Sequence, residues 1–168
     1  MLRPRSEVDL AACEAIAREV HALDGYPPYL PDGDFRGFLV ARDAQGAWVA
    51  VVDDVVVGHA ALHHRSTRAV MELATSRTGR TAAEFGVVAR LFAAPSARRA
   101  GVGRALLDHV TEEARARDLV PVLDVWTELI GAIALYESAG WERIGTVTFD
   151  APDGRRFDEH VYVGPGTS

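Results

Sequence analysis

The densest chemistry in the chain lies at Arg98-Arg99-Ala100-Gly101-Val102-Gly103-Arg104, where three arginines surround two glycines. An apolar, strand-like run from Glu84 to Phe92 leads into it through Ala93-Ala94-Pro95. Val102, Leu106, Val110 and Ala114 follow at four-residue spacing, one face of a helix. A strand that turns and feeds a helix brings the unbonded N–H groups of the helix start, and the positive end of its dipole, to the glycines. Glycine lets a phosphate approach those N–H groups and the arginines add charge, so the segment reads as a pyrophosphate cradle. Two other readings share it. A tight turn that happens to carry arginines needs no ligand. A dinucleotide-binding Rossmann unit would use the same strand, turn and helix, with Asp124 about 20 residues on as the ribose acid; against it, Leu106 holds the third glycine position and the approach to Gly101 is long. A Walker-type P-loop is excluded, because no Gly-Lys-Ser/Thr follows.

Other chemistry-bearing residues are sparser. His59, Ala61 and His63 share one face of an extended run, but no third ligand matches the two histidines, and the expectation is a surface strand face with no metal site. Cys13 is the only cysteine, which excludes an intrachain disulfide and a cysteine zinc cluster, and an acyl-cysteine route lacks a paired base. A serine hydrolase is disfavoured because no Gly-x-Ser-x-Gly elbow is present. With 18 Lys and Arg against 24 Asp and Glu the net charge is -6, which argues against a nucleic-acid partner. A local arginine cluster in such a chain suits a small anion. No apolar run approaches the ~18 residues of a membrane span. Met1-Leu2-Arg3-Pro4-Arg5 leads into charge rather than an apolar leader. No membrane partner is expected, and the cytoplasm is the default compartment.

The elements that must position these residues follow from pattern and punctuation. Leu2 to Arg5 reads as a short edge strand. Ser6 reads as a helix N-cap, with Asp9 in a capping-box role, and the helix continues to about His21 with Val8, Ala12, Ile16, Val20 and Leu23 on its apolar face. Asp24 to Gly37, rich in Pro, Gly and Tyr, reads as a long ordered loop or a loop with short helical turns. Ala47 to Val52 and Val55 to His63 form a hairpin around Asp53-Asp54. Ala69 to Arg77 forms a short helix ending near Gly79. Val120 to Trp126 is a strand. Glu128 to Ala139 is a helix with Thr127 as cap and Gly140 as stop. Trp141 to Phe149 and Phe157 to Val163 close the chain as a hairpin around Pro152-Asp153-Gly154. The order implies one mixed α/β domain over residues 1–168.

Three stretches, in order, carry a resemblance. Arg98-Arg99-Ala100-Gly101-Val102-Gly103 is similar to the Arg/Gln-x-x-Gly-x-Gly/Ala signature of the GNAT superfamily of acyl-CoA-dependent N-acyltransferases. Val88-Ala89-Arg90-Leu91-Phe92-Ala93-Ala94-Pro95 looks like that superfamily's fourth strand and proline turn. Ala132-Ile133-Ala134-Leu135-Tyr136-Glu137-Ser138-Ala139-Gly140-Trp141 resembles its Ala-Ile-x-Leu-Tyr-Glu-x-x-Gly-Phe block. The resemblance covers Glu84 to Trp141, and the N-terminal half fits as a helix, loop and hairpin layout.

The resemblance implies a single-domain GNAT-like fold: a mixed, mostly antiparallel central sheet whose central parallel strands splay apart, flanked by helices. It implies acetyl-CoA as cosubstrate and no metal. Arg98, Arg99, Ala100, Gly101, Val102 and Gly103, with Arg104 beside them, would bind the coenzyme A pyrophosphate. Leu91 and Phe92 would pair with the pantetheine arm through their backbone. Tyr136 aligns with the tyrosine that often protonates the departing thiolate. Leu129 stands where the family often has an Asn that contacts the cofactor arm. Glu84 is the expected general base, its pKa raised by burial, with His63 and His64 as rivals. The expected reaction is direct acetyl transfer to the primary amine of a small molecule in a ternary complex. A non-catalytic acyl-CoA sensor and a lysine or N-terminal protein acetyltransferase are the alternatives. Tyr26, Pro27, Pro28, Tyr29, Leu30 and Phe35 would form the loop over the acceptor. Asp24, Asp32 and Asp34 offer negative charge for a cation, and Ser66 to Ala83 is a second lining segment. By the same analogy the final hairpin is a candidate homodimer surface.

Overall fold

Asp53 and Asp54 both sit in the left-handed region, at φ 48° and 63°, as the mirror-image two-residue turn demands. They close strands β2 (Ala44–Val52) and β3 (Val55–His63) into the hairpin from which the sheet grows. The computed structural model describes residues 1–166. Strand β1 (Leu2–Pro4) adds antiparallel to β2, and β4 (Phe85–Ala93) adds antiparallel to β3. Strands β5 (Val120–Trp126), β6 (Glu142–Asp150) and β7 (Arg156–Val163) complete one seven-stranded sheet of order β1-β2-β3-β4-β5-β7-β6. Among the described residues only β4 and β5 run parallel, joined by a helical crossover that such a pairing requires.

Among the described residues five α-helices cover the sheet: α1 (Leu10–Asp24), α2 (Phe35–Leu39), α3 (Arg68–Thr78), α4 (Val102–Arg115) and α5 (Ile130–Ser138). α4 and α5 bury one face around Trp48, Ala60, Leu62 and Leu123, and α1 and α2 bury the other around Val49 and Val51. α3 packs beside them over Phe85, Val87 and Val122. Leu106 and Leu107 of α4 are wholly buried, and each such leucine stabilises the fold by ~1.5–3 kcal/mol. Gly58 lets α4 come this close: a Cβ there would meet Leu106 Cδ1 and Val102 Cγ1, each at 2.9 Å. The start of α4 is thereby fixed against β3.

The fold is the single α/β domain that the resemblance implied, and the mixed, mostly antiparallel sheet agrees with it. Several boundaries differ. Ser6 and Asp9 do form a capping box, but they cap a 3-10 turn, and α1 begins one turn later and runs on to Asp24. Its buried face is Leu10, Cys13, Ile16, Ala17 and Val20, while Val8 and Leu23 stay exposed. The 24–37 stretch carries a 3-10 turn at Pro31–Gly33 and helix α2, capped by Asp34. α5 starts at Ile130 with Leu129 at the cap, and Thr127 instead bonds Asp158 through its main chain. Among the described residues no helix is long and apolar enough to cross a membrane.

Candidate functional site

The parallel pairing of β4 and β5 stops at Val87–Val122. Beyond it the two strands diverge, and a cleft of about 1400 Å³ opens between their C-terminal ends. One end of the cleft is the Arg98–Arg104 segment. The other is walled by the Tyr26–Pro31 loop, Phe149, Phe157, Asp124 and Glu159.

At the first end the chain reaches α4 through Arg99 and Gly101, both in the left-handed region at φ 64° and 79°. Ala105 N–H is the first to reach back into the turn, 3.0 Å from Gly101 O. The N–H groups of Val102, Gly103 and Arg104 thus precede any helical acceptor, and these residues line the cleft at the positive end of a 14-residue helix. A Cβ built on Gly101 meets nothing within 4 Å, so the space before these donors is open. Of the three arginines, Arg98 is paired with Asp24 and Arg104 with Asp108 at 3.0 Å. Arg99 has no ion pair among the described residues. Three N–H groups without a helical acceptor and a cation without an ion pair, beside an open space, are the donor set that a diphosphate needs.

Between the ends lies the open edge of β4. Ala94 N–H bonds Val57 O at 2.8 Å, which fixes the alternation of the strand end. Phe92 and Ala94 turn their main-chain groups to β3; Leu91 and Ala93 turn theirs to the gap. The backbone role expected of both Leu91 and Phe92 is therefore open to Leu91 alone, since the main chain of Phe92 faces the ladder and its ring stacks on His59 at 5.2 Å. Tyr136 faces the cleft from α5 with 7% of its surface exposed, packed on Tyr162 and Trp141. Burial pushes its hydroxyl well above the ordinary tyrosine range, with Tyr26 and Asp124 adding to it. Leu129 also lines the cleft and presents an apolar surface to it.

The far end gathers groups that sequence did not connect. β5–β7 register sets Trp126 against Glu159 and Asp124 against Val161, so Asp124 and Glu159 are diagonal neighbours on one face. Ser66 Oγ donates to Asp124 Oδ1 at 2.6 Å. Burial, then the hydrogen bond to and the charge of the Asp124 carboxylate, pushes the Glu159 carboxyl up to about 9. His63 is 4% exposed and lines the same end, with Nδ1 3.5 Å from Asp43. Burial, then Arg90, holds its imidazole neutral. His59 and His63 are thus buried, not the surface residues expected of them. His64 is exposed. Of the 66–83 segment only Ser66 and Thr67 reach the cleft. Asp24 is spent on Arg98 and Asp34 on the α2 cap.

Glu84 stands elsewhere. It ends a 3-10 turn below β4, where its carboxylate accepts from Thr81 N–H at 2.7 Å and Thr81 Oγ1 at 3.1 Å. It does not line the cleft, and the hydrogen bonds from Thr81 lower its pKa, the reverse of the expected burial effect. The Thr81-Ala82-Ala83-Glu84 spacing is itself a capping-box signal that competes with a catalytic reading.

These shifts set a pH dependence of stability. Burial lowers His59 to about 4 and lowers His63 as well, against 6.5 for a free imidazole. Between those values the unfolded chain binds protons that the folded one refuses, so this contribution is complete above 6.5 and is lost as the pH falls toward 4. Glu159 works the other way: its raised pKa stabilises fully below the ordinary 4.5 and progressively less as the pH rises. Melting temperature should therefore peak in weakly acidic to neutral solution and decline on both sides. Glu159→Gln keeps a donor toward Asp124 and should flatten the alkaline decline alone. An unchanged alkaline slope in that variant would show that Glu159 ionises normally.

Comparison with known proteins agrees with this geometry. The model of the acetyltransferase (GNAT) family matches residues 11–141. No curated protein matches the sequence. Among solved structures, a ribosomal-protein-alanine N-acetyltransferase from Brucella melitensis is 26% identical, with a TM-score of 0.72 over 97% of this chain and 98% of that one. Arabidopsis thaliana NAA60 in complex with acetyl-CoA is 19% identical, with a TM-score of 0.72 over 97% and 96%. A GCN5-related N-acetyltransferase from Kribbella flavida is 24% identical, with a TM-score of 0.69 over 98% and 96%. A family match over most of the chain, on a sheet split between β4 and β5, identifies it as an enzyme that belongs to the GNAT acetyltransferase family, whose members use acetyl-CoA.

Proposed function

We propose that the protein transfers the acetyl group of acetyl-CoA to the primary amine of a small molecule, by direct attack in a ternary complex. One observation carries the proposal: a single continuous cleft joins the N–H cradle at α4, the open β4 edge and Tyr136 to an acidic, aromatic pocket. Val102, Gly103 and Arg104 with Arg99 hold the diphosphate, and Ala100 and Gly101 shape the turn that aims them. Arg98 ties this turn to the acceptor loop through Asp24. The main chain of Leu91 and Ala93 receives the pantetheine arm as an added strand. The amine nitrogen bonds to the thioester carbon and the C–S bond breaks. A main-chain N–H of β4 stabilises the oxyanion, and Tyr136 donates to the leaving sulfur.

The Asp124–Glu159 pair supplies negative charge for the incoming ammonium and, once ionised by it, an acceptor for its proton. Tyr26, Tyr29 and Phe149 offer walls for an apolar or aromatic body. The Tyr26–Pro31 loop lines this end of the cleft, which favours a small acceptor over a protein one. The buried thiol of Cys13, pushed up to about 11 by desolvation, takes no part and suits a reducing compartment such as the cytoplasm.

Calorimetric titration with coenzyme A, followed by a thiol-release assay across small amines and peptides, tests this. Binding together with amine-dependent thiol release on small aromatic or apolar amines supports it. Binding without release on any amine would make the protein a sensor. Release restricted to peptide N-termini or lysines would overturn the small-acceptor reading.

A further inference from the structure

Two residues of β4, Arg90 and Leu91, lie opposite the single Ala60 of β3, since His59 pairs with Phe92 and Ala61 with Ala89. This is a β-bulge, and Arg90 adopts φ 54°, a left-handed conformation that costs an arginine of order 1 kcal/mol. A bulge takes a carbonyl out of the ladder and leaves it in need of a donor. Here the donor is a side chain: His59 Nδ1 lies 2.8 Å from Arg90 O. A carbonyl can only accept, so Nδ1 carries the proton and Nε2 is the bare nitrogen. Arg5 reads it as such, placing Nη1 2.9 Å from His59 Nε2 and 2.7 Å from Leu39 O at the end of α2. Arg90 closes the arrangement, with Nε 3.0 Å from Phe38 O and its guanidinium 4.3 Å from the Phe38 ring. The His59 ring is wholly buried.

The Arg90 carbonyl and the Leu91 N–H are two ends of one peptide unit, planar and trans, so they point in opposite directions. A donor fixed on the carbonyl therefore fixes the aim of the N–H. It also polarises the unit, since a peptide that accepts a hydrogen bond donates a stronger one. Leu91, like Ala93, is a residue whose main chain the strand alternation turns to the gap. We infer that His59, held in its Nδ1–H form by Arg5, is a positioning residue that aims and strengthens the Leu91 N–H at the thioester carbonyl. The inference rests on the reading of the cleft as the acetyl-CoA site. His59 touches no substrate; it acts through the Arg90–Leu91 peptide.

Infrared difference spectra of acetyl-CoA carrying carbon-13 at the thioester carbonyl test this without an acceptor. In the wild-type complex the carbonyl band should fall below its position in free acetyl-CoA. His59→Asn, which keeps a donor near the Nδ1 position, should retain most of that shift. His59→Phe, which keeps the stack on Phe92 but has no donor, should lose it. Coenzyme A affinity should stay within about twofold in both, because the cradle is a separate part of the cleft. A full shift in the Phe variant, or equal loss in both variants, would reduce His59 to a space filler. A wild-type complex that forms but shows no shift would overturn the inference and leave the cofactor site intact; failure to bind coenzyme A at all would overturn the proposed function instead. Nitrogen-15 NMR of the wild-type imidazoles covers the case of a variant that does not fold. His59 should show a protonated Nδ1 and a bare Nε2, and the opposite tautomer would remove the donor and the inference with it.

Discussion

Gly101→Glu should all but abolish coenzyme A binding in a protein that remains folded. The backbone at Gly101 is left-handed, at φ 79°, which penalises any side chain by ~1–2 kcal/mol of stability. The first 4 Å around a Cβ there are empty, so no clash adds to this. The damage falls on the ligand. A carboxylate would occupy the space before the N–H groups of Val102, Gly103 and Arg104 and accept the hydrogen bonds meant for the diphosphate. Loss of two charge-assisted bonds, ~1.5–3 kcal/mol each, weakens binding by roughly 10²–10⁴-fold before repulsion is counted. Gly101→Asn separates the two effects. It carries a similar backbone penalty, eased because Asn tolerates this region, and brings no charge. Its melting temperature should lie at or slightly above that of the Glu variant while its affinity stays far closer to wild type. Arg99→Ala, the loss of one exposed cation, should cost only about fivefold. Calorimetry on the three variants decides the point: a Glu variant that binds like the wild type would move the cradle away from the start of α4.

That this segment could be read from sequence follows from its locality. A strand end, a proline turn, two glycines and a four-residue apolar repeat are all set by neighbours along the chain, and the structure places α4 at Val102 as the spacing predicts. The same holds for the Ser6–Asp9 capping box and the Asp53-Asp54 turn. Legibility fails where phase or register decides. A 3-10 turn before Leu10 resets the phase of α1, so the face through Val8 and Leu23 points to water and the one through Leu10 and Cys13 points inward. The apolar run Ile130-Gly131-Ala132-Ile133-Ala134-Leu135 has no polar side to mark its face or its first residue, and the helix begins two residues later than composition implies. Alternation told which residues share a face with His59 but not that the face was covered. Nor could it show the bulge at Arg90 that gives the ring its partner. Asp124 and Glu159 meet only because β7 inserts between β5 and β6, a register set 35 residues away in the chain. The parts of the site built by one stretch of chain were legible, and the parts built by strand pairing were not.

The second large effect should come from the most conservative change. Tyr136→Phe removes one oxygen and keeps the ring that packs on Tyr162 and Trp141. The hydroxyl has no hydrogen-bond partner among the described residues, so its loss orphans nothing and stability should barely move. Burial raises its pKa, so the phenol is protonated at every pH at which the enzyme can be assayed. It is then a weaker acid than a free thiol, whose pKa is ~8.5, and what it offers the leaving sulfur is a strong hydrogen bond more than a transferred proton. Losing a positioned donor at the leaving group should lower kcat by about 10²-fold. Affinity for coenzyme A, set at the other end of the cleft, should change by no more than about twofold. The pH dependence of the rate gives a further check. Because Tyr136 does not titrate in the assay range, the variant's profile should keep its shape and drop in height only. A profile that instead loses its alkaline limb would mean that the phenol does ionise in that range and serves as a general acid. Unchanged turnover would remove Tyr136 from the reaction and leave the sulfur to water or the main chain.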